Sequence, residues 1–298
     1  MNKGIIDFIK EKRPNISNSS LKTYESILRN LYNNIGFKVD NDNYDLDLFD
    51  KNDNKVITYL KNIPFNKRKT ILAALVVISD NNKFRELMMD DIKEYNKEEA
   101  KQVKNKKQED NWVDKDEVIN LYNTLKKNAT IIYKKDNITN NDLQEIQLYI
   151  IICLLGGVFI PPRRSKDYVN FKIKNIDKDI DNYMDKNEFI FNSYKTAKTY
   201  GKQKITIPKE LKTILNKWIK INPTDYLLFD SSKNQLSNVK LNQRLNKLFG
   251  KKAGVNQLRH TFLSDKYGDL IDKKNELEND FKRMGSSTLQ ENIYIKKK

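Results

Sequence analysis

The sequence predicts an α+β protein in two parts: a helical N-terminal domain, and a mainly helical C-terminal domain with a small β-sheet or hairpin. Three observations predict it. Through the first hundred residues, apolar side chains recur at helical spacing between serine, asparagine and proline punctuation. Over residues 101–111 that pattern thins into "KQVKNKKQEDN", and it restarts at Trp112. Beyond it, "EFIFNSY" and "KQKITIP" alternate apolar and polar residues, as half-buried strands do. The expected division is therefore a helical domain over 1–100, a linker over 101–111 and a second domain over 112–298. The linker stretch also reads as the solvated end of one long helix.

In the first part, "IIDFIKEK" and "SSLKTYESILRNLYNNIG" read as helices, the second with a serine cap and a glycine stop. "DNDNYDLDLFDKNDN" is acidic and polar, and reads as a surface loop or short turn. Three more helical segments follow: "KVITYLKNIP", "FNKRKTILAALVVISD" and "FRELMMDDIKEYNKEEAKQVKN". In the second part, "WVDKDEVINLYNTLKK" opens a helix, and "LQEIQLYIIICLLGGVFI" reads as a buried helix interrupted by two glycines. After "PPRRSKDYVNFKI" comes an acidic turn region, "KNIDKDIDNYMDKN". The two alternating segments then flank "KTAKTYG", a β-hairpin with a basic loop. "KELKTILNKWIKI", "LNQRLNKLFGKKAG" and "NQLRHTFLSDKYGDLI" return to helix, and "DKKNELENDFKRMG" leads into the final segment.

Composition narrows the function. In 298 residues, hydrophobic side chains are 38%, with 15 Tyr and 13 Phe, enough to build cores. No apolar run of about 18 residues is present, so no membrane span is expected. The stretch "MNKGIIDFIKEKRPN" is too charged for a secretory signal. The one cysteine, Cys153, lies in an apolar run and excludes a disulfide framework, which fits a reducing, intracellular compartment. Lys and Arg total 56 against 40 Asp and Glu, a net charge of +16. Such an excess attracts polyanions, nucleic acid above all. Nucleotide bias toward lysine and asparagine codons is the competing source of that charge.

Four segments hold side chains suited to chemistry. In "PPRRSKDY", Arg163 and Arg164 follow two prolines that stop one element and set up the next. The guanidinium fork suits phosphate, and an ordinary ion pair with Asp167 is the plainer use of either arginine. "YKTAKTYGKQK" places Lys195, Lys198, Lys202 and Lys204 around the hairpin tip. A lysine there can protonate a leaving oxygen, or it can simply guard a strand edge. In "GVNQLRHTFLSDKY", Leu258 and Phe262 face the core and leave Arg259 on an adjacent stripe, beside His260, the only histidine. One histidine and one cysteine make a zinc site of the usual kinds implausible, so no metal and no cofactor is expected. His260 reads most simply as a hydrogen-bonded structural residue. "SSTLQENIYI" offers Ser287 or Thr288 with Gln290 or Glu291 as a capping box, whose helix would carry Tyr294. A terminal tyrosine is an anchor unless cationic groups prepare an electrophile for it.

Taken in order, these segments resemble the tyrosine recombinase (integrase) family, particularly divergent members from large eukaryotic DNA viruses, virophages and mobile elements. The resemblance covers most of the chain. It implies a helical core-binding (SAM-like) domain followed by a tyrosine-recombinase catalytic domain. "PPRRSKDY" looks like the segment of the first catalytic arginine, with Arg164 favoured over Arg163. The hairpin looks like the carrier of the catalytic lysine, with Lys198 favoured over Lys195. "NQLRHTF" is similar to the His-x-x-Arg box, making Arg259 the second arginine, and "MGSSTLQENIY" resembles the final box, with Tyr294 the nucleophile.

The resemblance implies cutting and rejoining of double-stranded DNA through a 3′-phosphotyrosyl intermediate, without metal or ATP. It also implies self-association on DNA as a dimer or tetramer, in the cytoplasm or nucleus of a host or packaged in a virion. Two positions depart from the pattern. Asn256 stands where the box has histidine, and Ser286 where histidine or tryptophan is usual; both can bond a phosphate oxygen, and neither carries protons well near neutral pH. The segment "IKKK" after Tyr294 is too short for the helix that family members exchange between neighbours. Two other readings stand beside recombination: a type IB topoisomerase-like relaxing enzyme, and a catalytically inactive DNA-binding relative, which the two replacements favour.

Overall fold

The computed structural model describes residues 4–39 and 44–296. The chain forms two compact units, Met1–Val103 and Lys104–Lys298.

The first unit is helical: α1 (Ile5–Lys12), α2 (Asn18–Ile35), α3 (Leu48–Lys51), α4 (Asp53–Lys61), α5 (Phe65–Ile78) and α6 (Asn82–Ala100). Local chemistry sets the ends of α2. Ser17 accepts from the Ser20 amide at its start, and at its end the Gly36 and Phe37 amides reach back to Asn33 and Tyr32. Leu28, Tyr32, Leu60, Leu72 and Phe84 are fully buried in one core. Arg68 on α5 grips Asp91 on α6 with two bonds, Nε to Oδ2 at 2.8 Å and Nη2 to Oδ1 at 2.5 Å. The stretch read as an acidic loop behaves differently where it is described. It supplies α3, and Phe49 is wholly buried, edge-on to Tyr32 and Phe37. Two phenylalanine-sized neighbours outweigh the surrounding aspartates, because one buried aromatic ring is worth more than several exposed charges. The "DNDN" at 40–43 lies outside the described residues, as do Met1–Lys3 and the last two lysines.

The second unit opens with a short helix, α7 (Lys106–Asp110), inside the segment read as a linker. Then come α8 (Lys115–Ile132) and α9 (Asn140–Leu155), each begun by a reciprocal capping box, Asp114 with Glu117 and Thr139 with Asp142. Helix α9 is buried on nearly every face, from Leu143 to Leu155, which explains its lack of a polar stripe. The two glycines end this helix rather than interrupt it. Gly157 has φ +75°, and a Cβ there would stand 2.6 Å from Phe262 Cδ2. Only glycine allows both the backbone and that close approach.

An extended passage through Pro161 and Pro162 leads to α10 (Ser165–Val169). The sheet follows: β1 (Phe171–Lys172), β2 (Asn182–Asp185), β3 (Glu188–Phe191) and β4 (Gln203–Thr206), in that spatial order. β1 and β2 are parallel, while β2–β3 and β3–β4 are antiparallel. Strand β2 lies in what the sequence suggests is an acidic turn. Its inward Asn182 and Tyr183 are buried, and only Asp185 and the Lys186–Asn187 turn behave as predicted. Between β3 and β4 the chain makes a small helix, α11 (Ala197–Tyr200), so the basic connection is broader than a tight hairpin tip.

The remaining helices are α12 (Lys209–Ile221), α13 (Asn238–Phe249), α14 (Val255–Tyr267) and α15 (Asp269–Arg283). Trp218 of α12 stacks on Phe229 at 5.8 Å and gives its indole N–H to the Leu227 carbonyl. After α15 come a 3-10 turn (Thr288–Gln290) and a single helical turn, α16 (Glu291–Tyr294). The tail therefore lacks the two-turn helix that the sequence suggests. Ser287 caps only the 3-10 turn, accepting from the Leu289 amide at 3.2 Å. Among the described residues, no helix is long and apolar enough to cross a membrane.

Candidate active site

Three elements of the second unit bring arginines together. The residues before α10 carry Arg163 and Arg164, α14 carries Arg259, and the β3–β4 connection supplies the facing wall. They border a cavity of about 360 Å³ lined by both adjacent arginines, Asp167, Tyr194, Thr196, Tyr200, Gln203 and Arg259. Three arginines against one aspartate leave it positive.

The two adjacent arginines behave differently. Arg163 turns into the protein: Nε donates to Asp167 Oδ2 at 2.8 Å and Nη1 to Gln203 Oε1 at 2.9 Å. Its guanidinium carbon also lies 3.9 Å from the centre of the Phe191 ring. The ion pair with Asp167 anticipated for one of the arginines is thus Arg163's, and it is buried, with Asp167 2% exposed. The Arg164 side chain makes no hydrogen bond or ion pair among the described residues, and it borders the cavity half-buried. Burial pushes the Asp167 carboxyl above its usual range, while Arg163 first, then Arg164 and Arg259, pull it down. Its Oδ1 is buried without a hydrogen-bond partner.

Arg259 owes its place to the seating of α14. Leu258 is buried, Thr261 donates to the Val113 carbonyl at 2.5 Å, and Asn242 of α13 accepts from the Val255 amide at 3.0 Å. The guanidinium then lines the cavity, and its Nη1 donates to Asn256 Oδ1 at 3.5 Å. Arg259 has no carboxylate partner among the described residues.

The other expected residues stand outside the cavity lining. Lys195 and Lys198 sit in the β3–β4 connection, both exposed, between lining residues Tyr194, Thr196 and Tyr200. His260 and Asn256 are exposed on α14. Ser286 belongs to the stop of α15, where its amide bonds the Phe281 carbonyl at 2.8 Å and the Gly285 amide bonds Lys282. Tyr294 is 54% exposed, its ring edge-on to the buried Phe281 with centroids 5.9 Å apart. The sequence reading missed Tyr194, Tyr200 and Gln203 as lining residues. A signal was present, since all three lie within the basic connection already singled out. Among the described residues, no three His, Cys, Asp or Glu side chains gather into a metal-holding group.

Chemically, the cavity offers two guanidinium groups that form no ion pair among the described residues, a place for a singly or doubly charged oxyanion. No protein-family model matches the sequence, and no curated protein does. Among solved structures, the chain is similar to XerA recombinase, with 12% identity over 88% of this chain and 82% of that one, at a TM-score of 0.36. It is similar to XerH site-specific recombinase bound to palindromic difH substrate in a post-cleavage complex, with 11% identity, 88% and 83% coverage and a TM-score of 0.46. A lambda integrase dimer bound to a COC′ core site is similar at 14% identity, 90% and 71% coverage and a TM-score of 0.44. At such identities the likeness says nothing of individual side chains, whose roles rest on the geometry above.

Proposed function

We propose that this chain is a site-specific DNA recombinase or integrase that cuts and rejoins double-stranded DNA through a 3′-phosphotyrosyl intermediate. One observation carries the reading: Arg164 and Arg259, far apart in sequence, line one cavity and neither is neutralised by an ion pair. A phosphodiester entering it takes the place of the missing anion. As the phenol oxygen of Tyr294 attacks, charge builds on the phosphoryl oxygens, and the two guanidinium groups stabilise that charge more than the ground state. The P–Oη bond forms as the P–O5′ bond breaks. The phenolic proton passes to solvent, and Lys198, or Lys195 beside it, gives a proton to the departing 5′-oxygen. The phosphotyrosine conserves the bond energy, so a second strand can be joined without ATP. Tyr294 packs on Phe281 outside the cavity lining, so delivery of the phenol is a step separate from phosphate binding. Self-association on DNA, as a dimer or tetramer, and action inside a host cell or after packaging in a virion belong to the same reading.

A nicked suicide substrate tests this. Wild type should form a denaturant-stable protein–DNA adduct, and Tyr294→Phe should bind equally well and form none. An adduct with the phenylalanine variant would show that the nucleophile lies elsewhere. A mixture of two marked duplexes then separates recombination from type IB topoisomerase-like relaxation, because only a recombinase joins one to the other.

A second reading is favoured by the exposed lysines, the withdrawn tyrosine, and Asn256 and Ser286 in place of proton carriers: a DNA-binding relative without catalysis. Tight DNA binding with no adduct from wild type would establish it.

A further inference from the structure

The two walls of the cavity are joined by one side chain that lines neither. Asn182, the first residue of β2, is wholly buried. Its Nδ2 donates to the Asp167 carbonyl of α10 at 3.0 Å and to the Ser193 carbonyl at 2.8 Å. Its Oδ1 accepts from the Asn192 amide at 3.0 Å and the Ser193 amide at 2.8 Å. Two donors and two acceptors use the full capacity of a carboxamide, and no other side chain of this size supplies both kinds. Asn192 is held in turn by the Lys178 and Asp181 carbonyls.

Ser193 is followed at once by Tyr194, a lining residue whose hydroxyl donates to the Gly201 carbonyl at 2.7 Å and closes the far end of the same loop. Lys195 and Lys198 lie between those two ties. We infer that Asn182 is a positioning residue, whose buried carboxamide joins α10, the helix that Arg164 caps, to the lysine-bearing loop. It thereby sets where the lysine ammonium stands relative to a phosphate held by Arg164 and Arg259. The inference rests on the function proposed above. It adds a residue that touches neither DNA nor the reacting atoms and acts through Lys195 or Lys198. Losing the amide removes the partner of the Asn192 and Ser193 N–H groups and unties the loop from α10, so the loop shifts while the arginines keep their own supports.

The test uses two DNA substrates: an ordinary one, and one with sulfur replacing the bridging 5′-oxygen at the cut. A thiolate leaves without help, since a thiol has a pKa of about 8.5, so the sulfur substrate needs no protonating lysine. Asn182→Ala should cleave the ordinary substrate about 100-fold more slowly than wild type, the scale of a lost general acid. Its DNA affinity should stay within about twofold, and the sulfur substrate should restore cleavage to within about fivefold of wild type. The same pattern is expected of the variant at the protonating lysine, Lys198→Ala or Lys195→Ala. Should the alanine protein melt below the assay temperature, the comparison is made below its melting point, and Asn182→Ser, which keeps one small donor–acceptor group in the pocket, carries the same readout. An equal deficit on both substrates, or none on either, overturns the inference. If wild type forms no adduct even with the sulfur substrate, the proposed function itself fails.

Discussion

Arg163 gives its Nε–H to Asp167 Oδ2 at 2.8 Å, one helical turn along the chain, and this bond separates two arginines that are neighbours in sequence. The pair is buried and pinned by Gln203 and Phe191, whereas the Arg164 side chain lines the cavity with no hydrogen bond or ion pair among the described residues.

Substitution at the two positions should therefore diverge. Arg163→Ala leaves the Asp167 carboxylate buried and unpaired, which costs about 3 kcal/mol of folding stability and shows in denaturant unfolding. Arg164→Ala should leave the unfolding curve within about 0.5 kcal/mol of wild type, since it breaks no internal bond. Its single-turnover DNA cleavage should fall about 100- to 1,000-fold, as when one oxyanion donor is lost. Matched stabilities with matched activities would remove the distinction.

At Gly157, a methyl group meets Phe262 at 2.6 Å and the backbone has φ +75°. Gly157→Ala should cost about 2–4 kcal/mol, from overpacking and left-handed strain together. It should also slow cleavage, because Phe262 and Arg259 share α14. Gly250→Ala is the control: φ is +65° and ψ 13°, a left-handed conformation, but nothing lies within 4 Å of the added Cβ. Strain alone should cost it about 1–2 kcal/mol. Equal melting temperatures for the two variants would count against the Phe262 contact.

DNA affinity should fall steeply with salt, as expected of a chain with net charge +16. Each arginine on a phosphate contributes about 0.9 to the slope of log affinity against log salt concentration. Arg259→Gln should lower that slope by about one unit across unrelated DNA sequences, measured by fluorescence anisotropy. Arg283→Gln is a suitable comparison, because this exposed arginine already pairs with Asp280 at 3.5 Å. An unchanged slope for Arg259→Gln would place the phosphate elsewhere.

Acid should weaken the second unit through Asp142. Bonds from Lys135 and then Thr139 hold this carboxyl at about 2, below its ordinary 3.8. A depressed folded-state value means the unfolded chain binds the proton first as pH falls. The stabilisation is thus fully present above about pH 4 and is lost as pH drops from 3.8 through about 2. Asp142→Asn should flatten the unfolding midpoint over that window, seen by circular dichroism, while lowering it at neutral pH. A wild-type midpoint independent of pH there would refute the assignment.

The helices were largely legible because their signals are local. Periodic apolar residues mark the buried faces and Gly36 marks the stop of α2, all within a few residues of where they act. The cap of α2 falls to Ser17, ahead of the expected "SS" pair, and the glycines after Leu155 end α9 instead of interrupting it. Strand β2 was not legible. Its charged surroundings read as a turn, and Asn182 and Tyr183 become interior only when β3 and α10 close over them. Phe49 was hidden in the same way by the aspartates around it until Tyr32 and Phe37 packed against its ring.

By itself the sequence determined the helical first unit, the mixed second one and the excess of positive charge. Each follows from composition or from spacing along a few turns, whereas the roles expected of the arginines, lysines and tyrosine came from the resemblance. Only the tertiary structure decided that Arg163 goes to Asp167 while Arg164 and Arg259 line one cavity, and that one buried amide ties the lysine loop to α10. Those outcomes depend on Gln203, Phe191, Val113 and Asn242, residues distant in the chain, and a side chain's choice of partner is made only when packing removes water from the alternatives.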